Sequence, residues 1–333
     1  MDRLLVESFE KLIQGACGPA VVREAERSLD VGALGSAVEA SGYLDLLVPG
    51  EGDAGLRDAF PLWLACGAQA LPVPLAQTMW ARGLLGTQAP HGPIALVDRV
   101  RRKADGCLRC VGVPFGAVAS ALLLRTPEGE LLCVPLAGAE RQRSGVHGSL
   151  QADIVLPARL DGALALPADA DLQAVGALIT ATLMAGALQR VLTDTLRYAN
   201  DRAQFGKPIG KFQAVQQQLS VLAEQVFAAR MAAEMGCAEA GLLPQRLRAA
   251  VAKARAAEAA EKAVAIAQAV HGAIGVTAEF DLQLWTRRLQ EWRGDHGSAS
   301  FWHAELGRAL VAAQGRTVPF LLDVLLPVAP ERA

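Results

Sequence analysis

Three side chains within twelve positions carry the clearest chemistry in this chain. Arg202 offers a planar fork of donors that fits a pyrophosphate, Phe205 a flat apolar face, and Gln213 an amide that reads a ring edge or a phosphate. They lie in the stretch Arg197-Tyr198-Ala199-Asn200-Asp201-Arg202-Ala203-Gln204-Phe205-Gly206-Lys207-Pro208-Ile209-Gly210-Lys211-Phe212-Gln213, which couples a helix end to a short basic turn and the start of another helix. Together they suit a dinucleotide. Each also has a structural reading: Arg202 capping the last carbonyls of its helix, Phe205 as core, the glycines as turn residues.

Long helices must position this stretch. After Pro167, apolar stripes mark helices over Leu172 to Tyr198, Phe212 to Ala240, Arg246 to His271, Leu282 to Trp292 and Ser298 to Ala313. Alanines 249, 250, 252, 254, 256 and 257 permit close approach of helices in a bundle. Residues up to about 90 also read as helical, from the three-to-four spacing of Leu4, Leu5, Phe9, Leu12 and Ile13, with a loop at Pro49 to Gly55. Between them, Ile94 to Val100, Cys107 to Val113, Ala121 to Arg125, Leu131 to Leu136 and Ile154 to Leu156 are strand-like runs separated by turn signals. The expected fold is α+β, mainly α: a helical domain over residues 1–90, a small β domain over 91–166 and a helical bundle over 167–333.

Composition narrows the functional classes. The chain has 333 residues, enough for two or three domains around a substantial core, and its apolar fraction of 52% is rich in alanine. A net charge of -2 gives no basic footprint for nucleic acid. Six scattered cysteines point to a reducing cytoplasm rather than a disulfide framework. Cys107 and Cys110 form a C-x-x-C pair, but inside a strand-like run and without a second pair, so no metal site is expected. No charge intervenes between Asp171 and Arg190; the glycines, threonines and glutamines there favour a buried bundle helix over a membrane span.

The Arg197–Gln213 stretch resembles the flavin-binding signature of acyl-CoA dehydrogenases. A second segment, Gln268-Ala269-Val270-His271-Gly272-Ala273-Ile274-Gly275-Val276-Thr277-Ala278-Glu279, is similar to the family's Q-x-x-H-G-G-I-G-[FY]-T-x-E, with Ala273 in place of a glycine. The order of helical, β and bundle domains agrees. The resemblance implies that Arg202, Gln204, Phe205, Gln213, Gln268 and the backbone at Gly272 contact FAD held mainly by a neighbouring subunit.

The family's reaction removes a proton from Cα and a hydride from Cβ of an acyl thioester, which calls for a positioned carboxylate in a dry pocket. By that resemblance His296 stands at the commoner glutamate position, with Asp295 beside it, and the alternative position falls near Gly176. Glu291 shares a helical face with Asp295 and is the other weak candidate base, though a solvated surface glutamate is its ordinary reading. The β segment carries no tryptophan between Trp80 and Trp285 to hold a flavin in cis; Phe115, Ser120 and Thr126 are its suggestive groups. The pattern resembles the short subunit of heteromeric, steroid side-chain type acyl-CoA dehydrogenases. It implies an acyl-CoA substrate, a base-bearing partner subunit in a heterotetramer, and an electron-transfer flavoprotein as acceptor. A self-sufficient homo-oligomer with an unusual base, or a flavin-free acyl-binding scaffold, are the alternatives.

Overall fold

The computed structural model describes residues 3–50, 54–166, 169–314 and 316–325. Its axis is α6 (Leu172–Asp201), whose start is closed by Asp171, the side chain of which accepts from the backbone N–H of Ala174. By length and hydropathy this helix is long and apolar enough to cross a membrane, yet 89% of its most apolar window is buried inside the protein. It packs on α4 (Leu56–Ala68) backbone to backbone. A β-carbon at Gly67 would stand 1.9 Å from the Leu183 carbonyl oxygen, and one at Gly186 1.9 Å from that of Leu64. Only glycine at both positions permits that crossing.

Around this pair, α1 (Arg3–Ala16), α2 (Pro19–Ser28), α3 (Gly32–Ala40) and α5 (Leu75–Leu85) complete the N-terminal helices. The bundle adds α7 (Gln213–Gly236), α8 (Arg246–His271), α9 (Leu282–Trp292), α10 (Ala299–Ala312) and α11 (Thr317–Leu325). The alanines of α8 are buried against α6, α7 and α10, as their small size requires. The helix ends expected for α8 and α9 coincide with those observed. The helix expected from Phe212 begins one residue later and stops at Gly236, and α11 had no sequence signal.

Two four-stranded sheets lie between these helical parts. One runs β1 (Ile94–Val97), β4 (Ala121–Arg125), β5 (Leu131–Pro135), β8 (Leu164–Leu166); the other runs β2 (Val100–Arg102), β3 (Leu108–Val113), β7 (Ala152–Leu156), β6 (Glu140–Arg143). The β1–β4 pair is parallel and the remaining pairs antiparallel. Strand β1 is apolar throughout, and β4 as far as Leu124, because both faces are covered. Ala95, Val97, Leu122 and Leu124 fill the space between the sheets, while Ile94, Leu96 and Leu123 face the helices. The single strand expected over Ile94 to Val100 is two, broken at Asp98 and Arg99, and Asp98 turns inward to a histidine 198 residues away. Strand β6, with all four residues exposed, has no apolar alternation to betray it. Within the expected loop at Pro49 to Gly55, residues 51–53 lie outside the described residues, as does Pro167.

Candidate functional site

Arg202 closes α6: its backbone N–H donates to the Tyr198 carbonyl at 2.9 Å, and its side chain makes no bond with the described residues. The capping role open to its guanidinium is therefore not taken up. The chain then turns through a two-residue hairpin between β9 (Ala203–Gln204) and β10 (Lys207–Pro208). Both central residues, Phe205 and Gly206, have positive φ, at 51° and 78°, as the tight hairpin turn demands. A left-handed aromatic residue is an unfavourable choice there. Phe205 is nonetheless 90% exposed, so it is not core, and its ring meets that of Phe212 edge to face, centroid to centroid at 6.2 Å. Gln204 and Gln213 are exposed on the same surface, Gln213 as the first residue of α7. The start of that helix places backbone N–H groups and the positive dipole end beside Arg202, an arrangement suited to phosphate.

The second motif sits against the first. Tyr198 stacks on His271 at 4.3 Å and donates its hydroxyl to the His271 carbonyl at 3.3 Å. Burial lowers the His271 pKa, and its Nδ1 lies 2.8 Å from the Ala267 carbonyl, so this ring is packing. Gly272 ends α8 with φ of 66° and is exposed. Gln268 donates to Thr286 at 3.4 Å, while its buried Oε1 has no partner among the described residues. Ala273 stands where the resemblance expects glycine, but its φ is not in the left-handed region, so the replacement costs the turn nothing. Arg202, Gln204, Phe205, Gln213 and Gly272 are thus exposed, while Gln268 is half-buried.

The region of the candidate bases is closed. Asp295 is 3% exposed and accepts from Gln151 Nε2 at 2.6 Å; burial, partly countered by His296 and Lys253, raises its carboxyl to about 7. Glu291 is half-buried and accepts from the Ser149 hydroxyl, which corrects its reading as a solvated surface residue. Burial raises its pKa despite Ser149 and Arg288. Lys253, lowered by burial to about 8, donates at 3.0 Å to the carbonyls of both Arg293 and Gly297, and Trp302 donates to that of His296. These three contacts fix the loop that carries His296.

His296 itself is 1% exposed, with φ of 52°. Its Nδ1 is 3.4 Å from Asp98 Oδ2, close enough for an ion pair but out of line for a hydrogen bond, and Nε2 has no partner among the described residues. Burial alone would raise Asp98; His296 and Arg99 more than offset it and hold the carboxylate low. The cavity that touches Glu291 and Asp295 is walled by Phe115, Gln151, Arg288 and Trp292 and holds only about 10 Å³. Ligand pockets run to about 300–1,000 Å³.

The middle segment contributes no convergent polar site. Phe115 is buried, Thr126 accepts from the Glu130 N–H in a hairpin turn, and Ser120 donates to the Pro93 carbonyl. Cys107 and Cys110 are free thiols, and burial pushes Cys110 up to about 12. Contacts invisible in the sequence tie this domain and α2 to α9: Arg287 donates to the His147 carbonyl and pairs with Glu26 of α2 at 2.7 Å. Their partners are 140 and 261 residues away, beyond the reach of local pattern.

Comparison with known proteins adds a second line of observation. The acyl-CoA dehydrogenase C-terminal domain family matches residues 174–297. Acyl-CoA dehydrogenase IpdE2 of Mycobacterium tuberculosis is 31% identical over 311 residues, 89% of this chain and 91% of that protein. Its Mycolicibacterium smegmatis namesake is 28% identical over 302 residues, 89% and 92% of the two chains. Among solved structures, a chain of the ChsE4-ChsE5 complex from Mycobacterium tuberculosis superposes with a TM-score of 0.75 at 22% identity, covering 92% of this chain and 96% of that one. A chain of a Tcur3481-Tcur3483 steroid ACAD variant gives 0.75 at 24%, covering 93% and 98%. At these identities the two structures show a shared fold.

Proposed function

The chain belongs to the acyl-CoA dehydrogenase family, and from that premise we propose that it is the non-catalytic subunit of an FAD-dependent acyl-CoA dehydrogenase. In this reading it supplies contacts in trans to the FAD of a partner subunit, and the partner carries the base. The substrate is an acyl-CoA, desaturated between Cα and Cβ, with a bulky, steroid-type acyl group. The observation that carries the proposal is the closed cavity of about 10 Å³ beside Asp295 and Glu291, on a chain whose other motif surface stands open.

The residues present fit FAD on the open surface. Arg202 has a guanidinium free for a pyrophosphate, the α7 start has donors for the same group, and the exposed ring of Phe205 offers a flat apolar face. Bound FAD would supply the acceptor for the hydride from Cβ. The chain's own part is to hold and orient. Asp295 and Glu291 meet only that cavity of about 10 Å³, so in this reading the proton at Cα leaves to a base on the partner. The assembly then passes its electrons to an electron-transfer flavoprotein.

The test is the visible spectrum of the purified chain, alone and co-expressed with a second acyl-CoA dehydrogenase chain, before and after anaerobic addition of acyl-CoA. Flavin bands only in the complex, bleached by substrate, are the expected result. A colourless complex would leave a flavin-free scaffold. One observation favours a second reading: a carboxyl raised to about 7 at Asp295 is tuned as a general base is. A lone chain that is yellow and active, and loses activity in Asp295→Asn, would establish the self-sufficient enzyme instead.

A further inference from the structure

The turn between β6 and β7 borders a cavity of about 860 Å³, within the range of ligand pockets. Its other walls are one face of α2, the first turns of α9 and Gln268 near the end of α8; Arg202, Gln204, Phe205 and Gln213 do not line it. Four arginines, 23, 27, 143 and 287, stand there against a single carboxylate, Glu26. That carboxylate is taken by Arg287 at 2.7 Å and Arg288 at 3.3 Å. Arg23 is paired with Asp281 at 2.6 Å and Arg27 with Glu24 at 2.7 Å. Arg143 pairs with no carboxylate among the described residues. It is nonetheless fixed: its Nη2 donates to the carbonyls of Glu26 at 3.0 Å and Ser149 at 2.8 Å, and Nε and Nη1 make no bond with the described residues.

Beside Arg143 the chain supplies further donors. The backbone N–H groups of Gly145, Val146, His147 and Gly148 make no hydrogen bond with the described residues. Gly145 and Gly148 have φ of 83° and 78°, and successive free N–H groups in such a turn form a concavity for an anion. The turn is seated on Arg287, which donates to the His147 carbonyl at 2.5 Å; a β-carbon at Gly148 would stand 1.9 Å from Arg287 Nη1. A free guanidinium edge and four amide donors are more than the two oxygens of a carboxylate engage, and they suit the three terminal oxygens of a phosphomonoester. A bare phosphate leaves most of the cavity empty. On the opposite wall Gln268 Oε1 accepts no bond from the described residues, and Gln283 and Thr286 keep that wall polar, so the remainder of the ligand is hydroxylated.

We propose that this cavity binds a small sugar phosphate, its phosphate on Arg143 and the amides of residues 145–148 and its hydroxyls against Gln268. The site lies apart from the Arg202 surface and needs no partner chain, so its failure and that of the subunit reading are separable.

The test is isothermal titration of the full chain with ribose 5-phosphate, and with inorganic phosphate, ribose and ribonate as controls for body and charge. Saturable one-to-one binding is expected, at least about tenfold tighter for ribose 5-phosphate than for any control, a difference of about 1.4 kcal/mol. Equimolar FAD should leave the titration unchanged. Arg143→Gln keeps a donor for the two carbonyls but loses the charge, and should weaken ribose 5-phosphate at least about tenfold. Gln268→Leu, on the far wall, should weaken ribose 5-phosphate several-fold and leave inorganic phosphate unaffected, a difference that a general loss of folding would not produce. Absence of saturable binding, parent affinity in Arg143→Gln, equal effects on both ligands in Gln268→Leu, or displacement by FAD would each overturn the proposal.

Discussion

The imidazole of His296 rests directly on the backbone of Gly176: a β-carbon at position 176 would stand 2.5 Å from Nδ1 and 2.6 Å from Cε1. The two positions at which the family resemblance expects a glutamate are therefore in contact with one another. One has become a ring and the other the gap that receives it. A side chain at 176 would displace the ring, so the base missing at that position is excluded by the packing.

Gly176→Ala follows from that contact. It should cost about 1–3 kcal/mol, the range for an overpacked core. In a His296→Ala background the ring is gone and most of that cost should vanish, giving a coupling of comparable size. Urea unfolding of the four proteins measures it, and strictly additive changes would sink the idea.

Much of the fold was legible because the pattern is local. The apolar period of α8 runs from Arg246 to a glycine after His271, and α9 from Leu282 to Trp292, and both ends fall where the residues put them. Strand β6, with the residues Glu140 to Arg143, carries no such period and is held by its pairing with β7 and by Arg141 and Arg143, which donate to the distant carbonyls of Ala119 and Glu26. At the site, residue type pointed to Arg202 and Phe205, but nothing in sequence says that Phe205 stands in solvent with positive φ. Glu291 misled for a related reason: Ser149, which takes its carboxylate, is 142 residues away. Shielding is a property of distant partners, and a helical-face argument sees only residues three or four positions off.

Asp295 makes stability depend on pH with a definite sign. Its ordinary carboxyl pKa of 3.8 is raised to about 7 in the fold, so the folded chain binds more protons than the unfolded between those values. The favourable contribution is complete below about pH 4 and is lost as pH rises through 7. Asp295→Asn keeps an acceptor for Gln151 and has no charge to bury. Its stability gain over the parent chain should grow from near zero at pH 4 to on the order of 2 kcal/mol at pH 7.5. Guanidinium unfolding across that range checks it; a gain independent of pH would refute the assignment.

Lys253 acts in the alkaline range. Its ammonium is lowered from 10.5 to about 8, so the unfolded chain holds the extra proton between those values and stability rises as pH climbs from 8 to 10.5. Lys253→Met removes that slope. It also frees the carbonyls of Arg293 and Gly297, so amide exchange in the 293–297 loop should accelerate by at least about tenfold, the equivalent of one lost buried hydrogen bond. Exchange unchanged in that loop would mean that Trp302 alone holds it.

Phe205 separates stability from cofactor binding. An aromatic side chain held in the left-handed region of a turn, 90% exposed, contributes little to the fold and carries a conformational cost. Phe205→Asn places a residue tolerant of that region and should leave the thermal midpoint level or raise stability by up to about 1 kcal/mol. Arg202→Ala removes a side chain without a partner among the described residues and should change stability by less than about 0.5 kcal/mol. Both variants should nonetheless lower the FAD content of the assembled complex, Arg202→Ala by roughly tenfold in affinity if one charge-assisted contact of about 1.5–3 kcal/mol is lost. Flavin occupancy titrated against the complex reads this directly. Full occupancy in both variants would remove this surface from the flavin site, and a fall in stability matching the fall in occupancy would make the two residues structural.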